Sequence, residues 1–196
     1  MITLYHRPQT RSGSIVWLLE ELQVPYETHV VASIRSADGT GARDPANPHP
    51  HGKVPALKDG GEMLFESGAI ALYLTDKYRK VKMGPAVGEP KRGEYLSWLF
   101  YRPGVMEPAF MERRFNIQHV NGAMGWGHPD EVEQVLNDHL AKNKWFLGDE
   151  FSAADIMLGG GVFFMTQFKM MAETLVTKEY CTRLTARPAF AKMMQG

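Results

Sequence analysis

Residues 52–70 read GKVPALKDGGEMLFESGAI, and this stretch decides the fold. Residues 54–57 and 62–65 are short β-prone runs, and the Asp-Gly-Gly sequence between them predicts a tight hairpin turn. Ser67 is a favoured N-cap residue, and the apolar spacing after it predicts a helix that ends near Tyr78. The stretch therefore predicts a β-hairpin followed directly by a helix.

The residues before this stretch add a β-α-β unit. Residues 2–5 and 26–31 have the pattern of short strands, and the apolar residues between them recur at helical spacing up to Leu22. Two consecutive strands joined by a helix form a parallel pair with a right-handed crossover. Residues 32–51 are polar and rich in Gly, Pro and Asp, which predicts an irregular loop with room for one short helix. The order β-α-β-loop-β-β-α in residues 1–78 is that of a thioredoxin-like domain.

The second half of the chain carries helical patterns alone. Residues 80–90 contain two prolines, two glycines and charges of both signs, which is typical of a linker. The helical patterns beyond it cover 91–115, 129–143, 153–168, 178–184 and 188–194. We therefore expect an α/β thioredoxin-like domain with a mixed four-stranded sheet at residues 1–80, a linker at 81–90 and an all-α helical domain at 91–196.

Composition excludes several classes of function. The chain has 196 residues, of which 44% are hydrophobic and 22% charged, and its formal net charge is +0. A neutral chain has no long-range attraction to nucleic acid or to an anionic membrane, so neither is an expected partner. No apolar run has the length of a signal-peptide core or of a transmembrane helix, which predicts a cytoplasmic protein.

The sequence contains few residues that are suited to thiol or metal chemistry. Cys181 is its single cysteine, so the chain has neither an internal disulfide nor a Cys-x-x-Cys pair for redox work or zinc. His49 and His51 lie close together, but no cysteine or carboxylate cluster accompanies them in the sequence. We therefore expect no metal site and no glutaredoxin-like reductase.

Two features of the hairpin and helix suit a peptide-like ligand. A proline in a strand cannot donate to the ladder, and with a cis bond before Pro55 the main chain of Val54 can pair with a ligand instead of a strand. The alternative is a trans proline on an ordinary edge strand. Ser67 opens a helix whose first N–H groups carry partial positive charge and suit a carboxylate, although it also suits a simple N-cap. One tight hairpin places both features at one end of the sheet.

These motifs resemble those of the cytosolic glutathione transferases. GKVPAL followed by ESGAI resembles their glutathione site, and residues 4–27, LYHRPQTRSGSIVWLLEELQVPYE, resemble the bacterial members. FSAADI at 151–156 is similar to the capping box that opens the central helix of their second domain, and RPAF at 187–190 to the start of their last helix. The resemblance covers nearly the whole chain. It implies a homodimer with glutathione as co-substrate.

The resemblance implies specific contacts to glutathione. The main chain of Val54 would pair with the cysteinyl part, beside a cis Pro55. Glu66 and Ser67 would hold the γ-glutamyl end.

The glycyl end is where the sequence departs from the family pattern. Lys53, with His51 as a second candidate, would lie near the glycyl carboxylate. The loop before them, residues 47–52, is two residues longer than the usual Asn-Pro-x-Gly, which leaves these contacts open. Ser152 and Asp155 would be structural, because each satisfies backbone donors at the start of a helix.

The turn between the first strand and the first helix is the expected place of thiol activation. Glutathione attacks as a thiolate, and an ordinary thiol has a pKa of about 8.5. Hydroxyl donors, cations and helix N-termini lower such a pKa. Ser12 and Thr10 are therefore the first candidates and Arg11 follows closely, while both hydroxyls also suit plain N-capping. Tyr5 ranks last, because its position at the end of the strand suits a core residue.

The resemblance also implies a pocket for an electrophile between the domains. Its candidate walls are Tyr101, Met106, Phe110 and Met111, and ordinary core packing is the alternative for each. The expected function is a glutathione S-transferase acting on small, apolar electrophiles. The alternatives are a glutathione-dependent peroxidase, dehalogenase or isomerase, or a non-catalytic glutathione-binding protein on the same fold. The hydroxyls and the cation of the turn favour an enzyme.

Overall fold

A computed structural model describes residues 1–32 and 41–195. The chain divides into two compact units, Met1–Val81 with the segment from Pro188 onward, and Lys82–Arg187. The strands are β1 Ile2–His6, β2 Tyr26–Val30, β3 Ala56–Asp59 and β4 Glu62–Phe65. The helices are α1 Gly13–Leu22, α2 Ser67–Lys77, α3 Arg92–Tyr101, α4 Glu107–Phe115, α5 Pro129–Lys142, α6 Gly160–Gln167, α7 Leu175–Thr185 and α8 Pro188–Gln195. The loop expected at 32–51 falls partly on residues 33–40, which lie outside the described part.

The first unit is built on one mixed sheet with the strand order β2-β1-β3-β4. β1 and β2 run parallel, whereas β3 pairs antiparallel with both β1 and β4. This arrangement confirms the predicted thioredoxin-like α/β architecture. Helix α1 contributes the largest apolar side chains of the core, among them Ile15, Trp17 and Leu18, which are all fully buried.

Two element boundaries near residue 60 differ from the prediction. β3 begins at Ala56 and not at Val54, because Pro55 lacks the N–H that the ladder needs. Helix α2 begins at Ser67 itself, so that Glu66 occupies the N-cap position. The expected role of Ser67 as the N-cap is therefore wrong, and Ser67 is instead a first-turn residue whose own N–H belongs to the helix terminus.

Helix α8 packs in the first unit, whereas the sequence assigned its residues to the helical domain. The rings of Trp17 and Phe190 meet edge to face at 5.1 Å. A Cβ at Gly13 would lie only 3.0 Å from Cγ of Met193, so glycine permits the close approach of α8 to the first turn of α1.

The second unit is helical in its described elements, with two π-helical segments among them, Arg102–Met106 and Asp155–Gly159. The first interrupts the single helix predicted for 91–115, since Pro103 cannot donate a regular helical hydrogen bond. Gly159 ends the second segment and Gly161 follows it, and side chains from elsewhere in the unit lie against both glycines. A Cβ at Gly161 would collide with Met106.

A buried hydrogen-bond network opens the second π-helical segment. The fully buried carboxylate of Asp155 accepts from the main-chain N–H of Ser152 at 3.0 Å and of Phe146 at 2.9 Å, and from the hydroxyl of Tyr180 at 3.0 Å. In return, Oγ of Ser152 accepts from the N–H of Ala154 at 3.2 Å. Burial raises the pKa of Asp155 to about 6, against the lowering effect of these donors. The structural role predicted for Ser152 and Asp155 is confirmed.

None of the helices among the described residues combines the length and the apolar character that crossing a bilayer requires. Within residues 1–32 and 41–195, no group of three or more His, Cys, Asp or Glu side chains is arranged to hold a metal ion.

Candidate functional site

Three segments of the first unit end at the same end of the sheet. Tyr5 of β1 lies opposite Ala56 of β3, and Ala56 lies opposite Phe65 of β4. Because these pairs are antiparallel, the residues after Tyr5, before Ala56 and after Phe65 all continue beyond that one end. We call it the site end of the sheet. It brings together the turn at residues 10–12, the Val54–Pro55 segment and the start of α2.

The Val54–Pro55 segment is held from both sides. The peptide bond between the two residues, for which the sequence predicts the cis form, is cis. The half-buried side chain of Val54 packs on a small core cluster that contains Tyr5 and Ala56. The side-chain amide of Asn47 donates to the carbonyl oxygen of Lys53 at 2.9 Å, directly before Val54.

Glu66 and Ser67 form the second arm of the site end. Glu66 is exposed and has φ 69° and ψ 118°, an unusual conformation for a residue with a side chain. Such a backbone costs about 1–3 kcal/mol and is maintained only by its surroundings. The carbonyl of Glu66 accepts from the N–H of Ile70 at 2.9 Å, which ties it to the first turn of α2. The strained residue thus places an acidic side chain beside a helix N-terminus.

The loop before Val54 holds a buried histidine that the sequence did not assign to the site. His49 is buried, whereas Lys53 and His51, the expected glycyl contacts, are exposed. Nδ1 of His49 accepts from the N–H of His51 at 3.0 Å. The guanidinium of Arg43 donates to the carbonyl of Pro50 at 2.8 Å, which adds a cation to this loop. A signal for His49 existed in the sequence, since it lies within the two-residue extension of the family motif.

Ser12, the first candidate for thiol activation, is fully buried. Its Oγ lies 2.8 Å from Nδ1 of His6 and 2.7 Å from Oγ1 of Thr10. It also accepts from the N–H of Arg7 at 3.1 Å and lies within donating distance, 3.2 Å, of the carbonyl oxygen of Arg7. The hydroxyl is therefore engaged inside the turn.

The other candidates differ in their exposure. Thr10 is half-buried and donates to the carbonyl of Arg7 at 2.7 Å, while Arg11 is exposed. Tyr5 is 8% exposed, and its ring lies 5.1 Å from that of His29. Tyr5 thus has the core environment that the sequence analysis expected for it.

Two of the four expected pocket residues lie in the core of the second unit. Met106 and Phe110 are fully buried, Met106 against Gly161 and Phe110 under the guanidinium of Arg113 at 5.3 Å. Having no exposed surface, they cannot form the wall of an open pocket, and that expectation is corrected. Tyr101 and Met111 are half-buried, and burial raises the pKa of the Tyr101 hydroxyl.

Comparison with known proteins identifies relatives of this chain. The family described as "Glutathione S-transferase, N-terminal domain" matches residues 1–76. "Glutathione S-transferase 3" of Schizosaccharomyces pombe is 30% identical over 173 residues, which are 79% of this chain and 70% of that protein. The chain belongs to the glutathione S-transferase family. The family resemblance noted from the motifs is thereby confirmed.

Other members of the family align over nearly the whole chain. The "Disulfide-bond oxidoreductase YfcG" of Escherichia coli is 29% identical over 207 residues, 96% of this chain and 92% of that protein. The crystal structure of a glutathione S-transferase from Actinobacillus pleuropneumoniae superposes with a TM-score of 0.80 at 25% identity, over 100% of this chain and 92% of the other.

The relatives of this chain include glutathione transferases, which are enzymes that use glutathione. The matched N-terminal domain, residues 1–76, contains the turn at 10–12, Val54 and Glu66. All parts of the site end of the sheet therefore fall within the region that the family shares, whereas Tyr101 and Met111 lie outside it.

Proposed function

We propose that this protein is a glutathione S-transferase that activates the glutathione thiol for attack on small, apolar electrophiles. The observation that carries the proposal is the convergence of the Val54 main chain, the start of α2 and the turn at residues 10–12 at the site end of the sheet. Neighbouring strands lie about 4.8 Å apart, so the ends of the three adjacent strands β1, β3 and β4, from which these groups continue, lie within about 10 Å of each other. An extended tripeptide has about that length.

The two arms of the site end suit the polar groups of glutathione. The main chain of Val54 would pair with the cysteinyl residue, beside Pro55. The carboxylate of Glu66 suits the α-ammonium of the γ-glutamyl end, and Ser67 with the N–H groups of α2 suits its α-carboxylate. Lys53 and His51 are exposed on the preceding loop, where a cation or donor can meet the glycyl carboxylate.

For thiol activation, the contacts of the turn favour Thr10 and Arg11 over Ser12. The hydroxyl of Thr10 donates to the carbonyl of Arg7 at 2.7 Å, and Oγ of Ser12 lies 3.2 Å from the same oxygen. The hydroxyl of Ser12 can therefore donate to the Arg7 carbonyl instead, when Thr10 rotates its hydroxyl toward the glutathione sulfur. Arg11 adds a positive charge at an exposed position. The fully buried Ser12 would order the turn without touching the thiol.

The reaction itself follows from a stabilised thiolate. The thiol proton leaves to solvent, the sulfur attacks the electrophilic carbon, and a carbon–sulfur bond forms as the leaving group departs with its bonding pair. The apolar part of the electrophile requires apolar walls. Of the residues expected to contact it, Tyr101 and Met111 keep exposed surface, and we retain these two as candidates.

Ser67→Ala is expected to weaken glutathione binding more than it slows the bound reaction. Ser67 would hold the γ-glutamyl carboxylate, away from the sulfur, so its loss removes binding that is equal in the ground and transition states. A hydrogen bond to a charged group contributes about 1.5–3 kcal/mol, which corresponds to a Kd about 10- to 150-fold higher. Calorimetry of glutathione binding, with kcat measured on an activated aryl halide, provides the two values.

Ser97→Ala is the matched control, because Ser97 is an exposed serine of α3 whose hydroxyl donates back to the carbonyl of Gly93 in its own helix at 3.0 Å. Its Kd and kcat should equal those of the wild type. An unchanged affinity in Ser67→Ala would remove Ser67 from the site. A wild-type protein that neither binds glutathione nor conjugates it would overturn the proposed function.

A homodimer is the proposed assembly, and the family resemblance implies it. The second unit exposes apolar side chains at Val87 and Phe100, which are 83% and 42% exposed. Light scattering at micromolar concentration is expected to give twice the mass of the 22.1 kDa chain. A monomeric mass there would contradict this prediction. The cytoplasmic location also stays a prediction.

A second candidate function is the reduction of disulfides with both thiols supplied by glutathione. The similarity to the oxidoreductase of Escherichia coli, over 96% of this chain, favours it. A glutathione thiolate would attack a disulfide sulfur and release one thiolate, and a second glutathione would release the other and leave oxidised glutathione. Cys181 is not needed, and burial raises the pKa of its thiol to about 11. Formation of oxidised glutathione from an added disulfide distinguishes this reaction from transfer.

A further inference from the structure

His49 lies where the two arms of the glutathione site approach each other. It is 7% exposed and belongs to the loop that leads into Val54. Its ring meets the ring of Phe65 edge to face, with the centroids 5.5 Å apart. Phe65 ends β4 and directly precedes Glu66, so one buried side chain contacts the segments on both sides of the site.

The main chain around His49 is closed into a turn by the histidine itself. Its carbonyl oxygen accepts from the N–H of Gly52 at 2.8 Å, and its Nδ1 accepts from the N–H of His51 at 3.0 Å. A backbone N–H can only donate, so Nδ1 must be the unprotonated nitrogen of a neutral ring. Gly52 has φ +63°, which glycine adopts without strain.

Asn47 extends the same pattern toward Val54. Its Oδ1 accepts from the N–H of His49 at 3.1 Å, and its Nδ2 donates to the carbonyl of Lys53 at 2.9 Å. The main chain that enters Val54 is thus fixed by two side chains, and His49 is the one of the two that can change its charge near neutral pH.

We propose that His49 is a positioning residue for glutathione: its neutral Nδ1 closes the turn at residues 49–52, its ring braces that turn against Phe65 beside Glu66, and protonation of the ring opens the turn and weakens binding. The inference rests on the proposed function, because it assigns the Val54 and Glu66 arms to glutathione. Protonated Nδ1 becomes a donor and faces the N–H of His51, so the bond that closes the turn is lost.

The surroundings of His49 keep it neutral at neutral pH. Burial lowers the pKa of His49, and the neighbouring His51, Lys53 and Arg43 add to this effect, whereas Glu66 across the site acts in the opposite direction. A histidine whose pKa is lowered by folding contributes its stabilisation fully above the usual value of about 6.5. That contribution is lost as the pH falls through the lowered value.

Two substitutions distinguish the contribution of the His49 ring from that of its acceptor atom Nδ1. His49→Asn keeps an acceptor near the Nδ1 position and cannot be protonated, and His49→Phe keeps a ring against Phe65 without an acceptor. Calorimetry would give the Kd for glutathione of both variants and the wild type at about pH 7.5 and about pH 5, on either side of the histidine range. At the higher pH, His49→Asn should bind about two- to threefold more weakly than the wild type, because it keeps the acceptor and loses the ring contact with Phe65. His49→Phe should bind about fivefold more weakly, the fold-change for one hydrogen bond.

The pH dependence is the readout that a merely structural role would not change. Wild-type affinity should fall about fivefold relative to His49→Asn between the two pH values. Effects of pH on the rest of the protein cancel in this comparison, because both proteins share every other residue.

Equal pH dependence in the wild type and His49→Asn, or equal affinity of His49→Phe and the wild type, would overturn the inference while glutathione binding itself stands. Absence of binding in the wild type would overturn the proposed function together with it. If His49→Phe does not fold, the comparison of the wild type with His49→Asn decides alone.

Discussion

Replacing Asp155 by alanine is expected to lower the free energy of unfolding by about 3–5 kcal/mol, the range for breaking a buried polar network. The carboxylate is fully buried and accepts from the N–H of Phe146, from the N–H and the hydroxyl of Ser152, and from the hydroxyl of Tyr180. Alanine would leave these four donors without this acceptor. Each buried donor that loses its partner costs about 1–3 kcal/mol.

Tyr180→Phe is the control for this substitution, because it removes one hydroxyl and leaves the Asp155 carboxylate with its two main-chain donors and the hydroxyl of Ser152. Its expected loss is about 1 kcal/mol, the contribution of a single hydrogen bond. Urea unfolding followed by circular dichroism measures both variants. If Asp155→Ala lost no more than Tyr180→Phe, the network would not be what holds the start of this helical segment.

Thr10→Ala and Arg11→Ala are each expected to raise the pKa of the bound glutathione thiol. A hydrogen bond to a charged group contributes about 1.5–3 kcal/mol, so loss of the Thr10 donor should raise this pKa by about one to two units. Loss of the Arg11 cation should act in the same direction. At a pH below the wild-type value the reaction rate should fall about 10- to 100-fold, and it should recover at higher pH, where the thiolate forms without help. Thiolate absorbance of the complex, followed against pH, gives the titration.

Two control variants test which side chain meets the sulfur. Tyr5→Phe should leave the titration unchanged, because Tyr5 lies in the core beside His29. Ser12→Ala should destabilise the protein through the lost contacts to His6 and Arg7, with a smaller effect on the thiol than Thr10→Ala. A large shift in Tyr5→Phe alone would make this a tyrosine-type enzyme. A bound thiol with its ordinary pKa would favour the non-catalytic binding protein.

Much of the first unit follows from local sequence. The Asp-Gly-Gly turn, with Gly60 at φ +62°, closes β3 and β4 in the order that the β-prone runs predict. The spacing of apolar residues in α1 correctly predicts its buried face. These features depend on residues within one turn or one helix, where the chemistry of the side chains and the backbone acts directly. The family resemblance depends on the same local motifs.

Element boundaries were less predictable where several residues compete for one role. Helix α7 begins at Leu175, three residues before the predicted start, because Thr174 and Thr177 form a reciprocal capping box. Ser67 has a favoured N-cap side chain, yet the position falls to Glu66, whose backbone is set by its place between β4 and α2. The backbone path from β4 to α2 therefore outweighs the local preference for serine at the N-cap position.

By itself, the sequence determined the order of the elements, the hairpin, the capping pair Ser152–Asp155 and the residues on which the family resemblance rests. Only the tertiary structure decided that Ser12 and Met106 are buried, that α8 packs on α1, and that the ring of His49 packs against Phe65, next to Glu66. The physical reason is that a pattern shows which side chains are apolar or polar within one element. Burial and hydrogen-bond partners depend on which distant segment arrives beside them, as His49 and Phe65 do across the site end of the sheet.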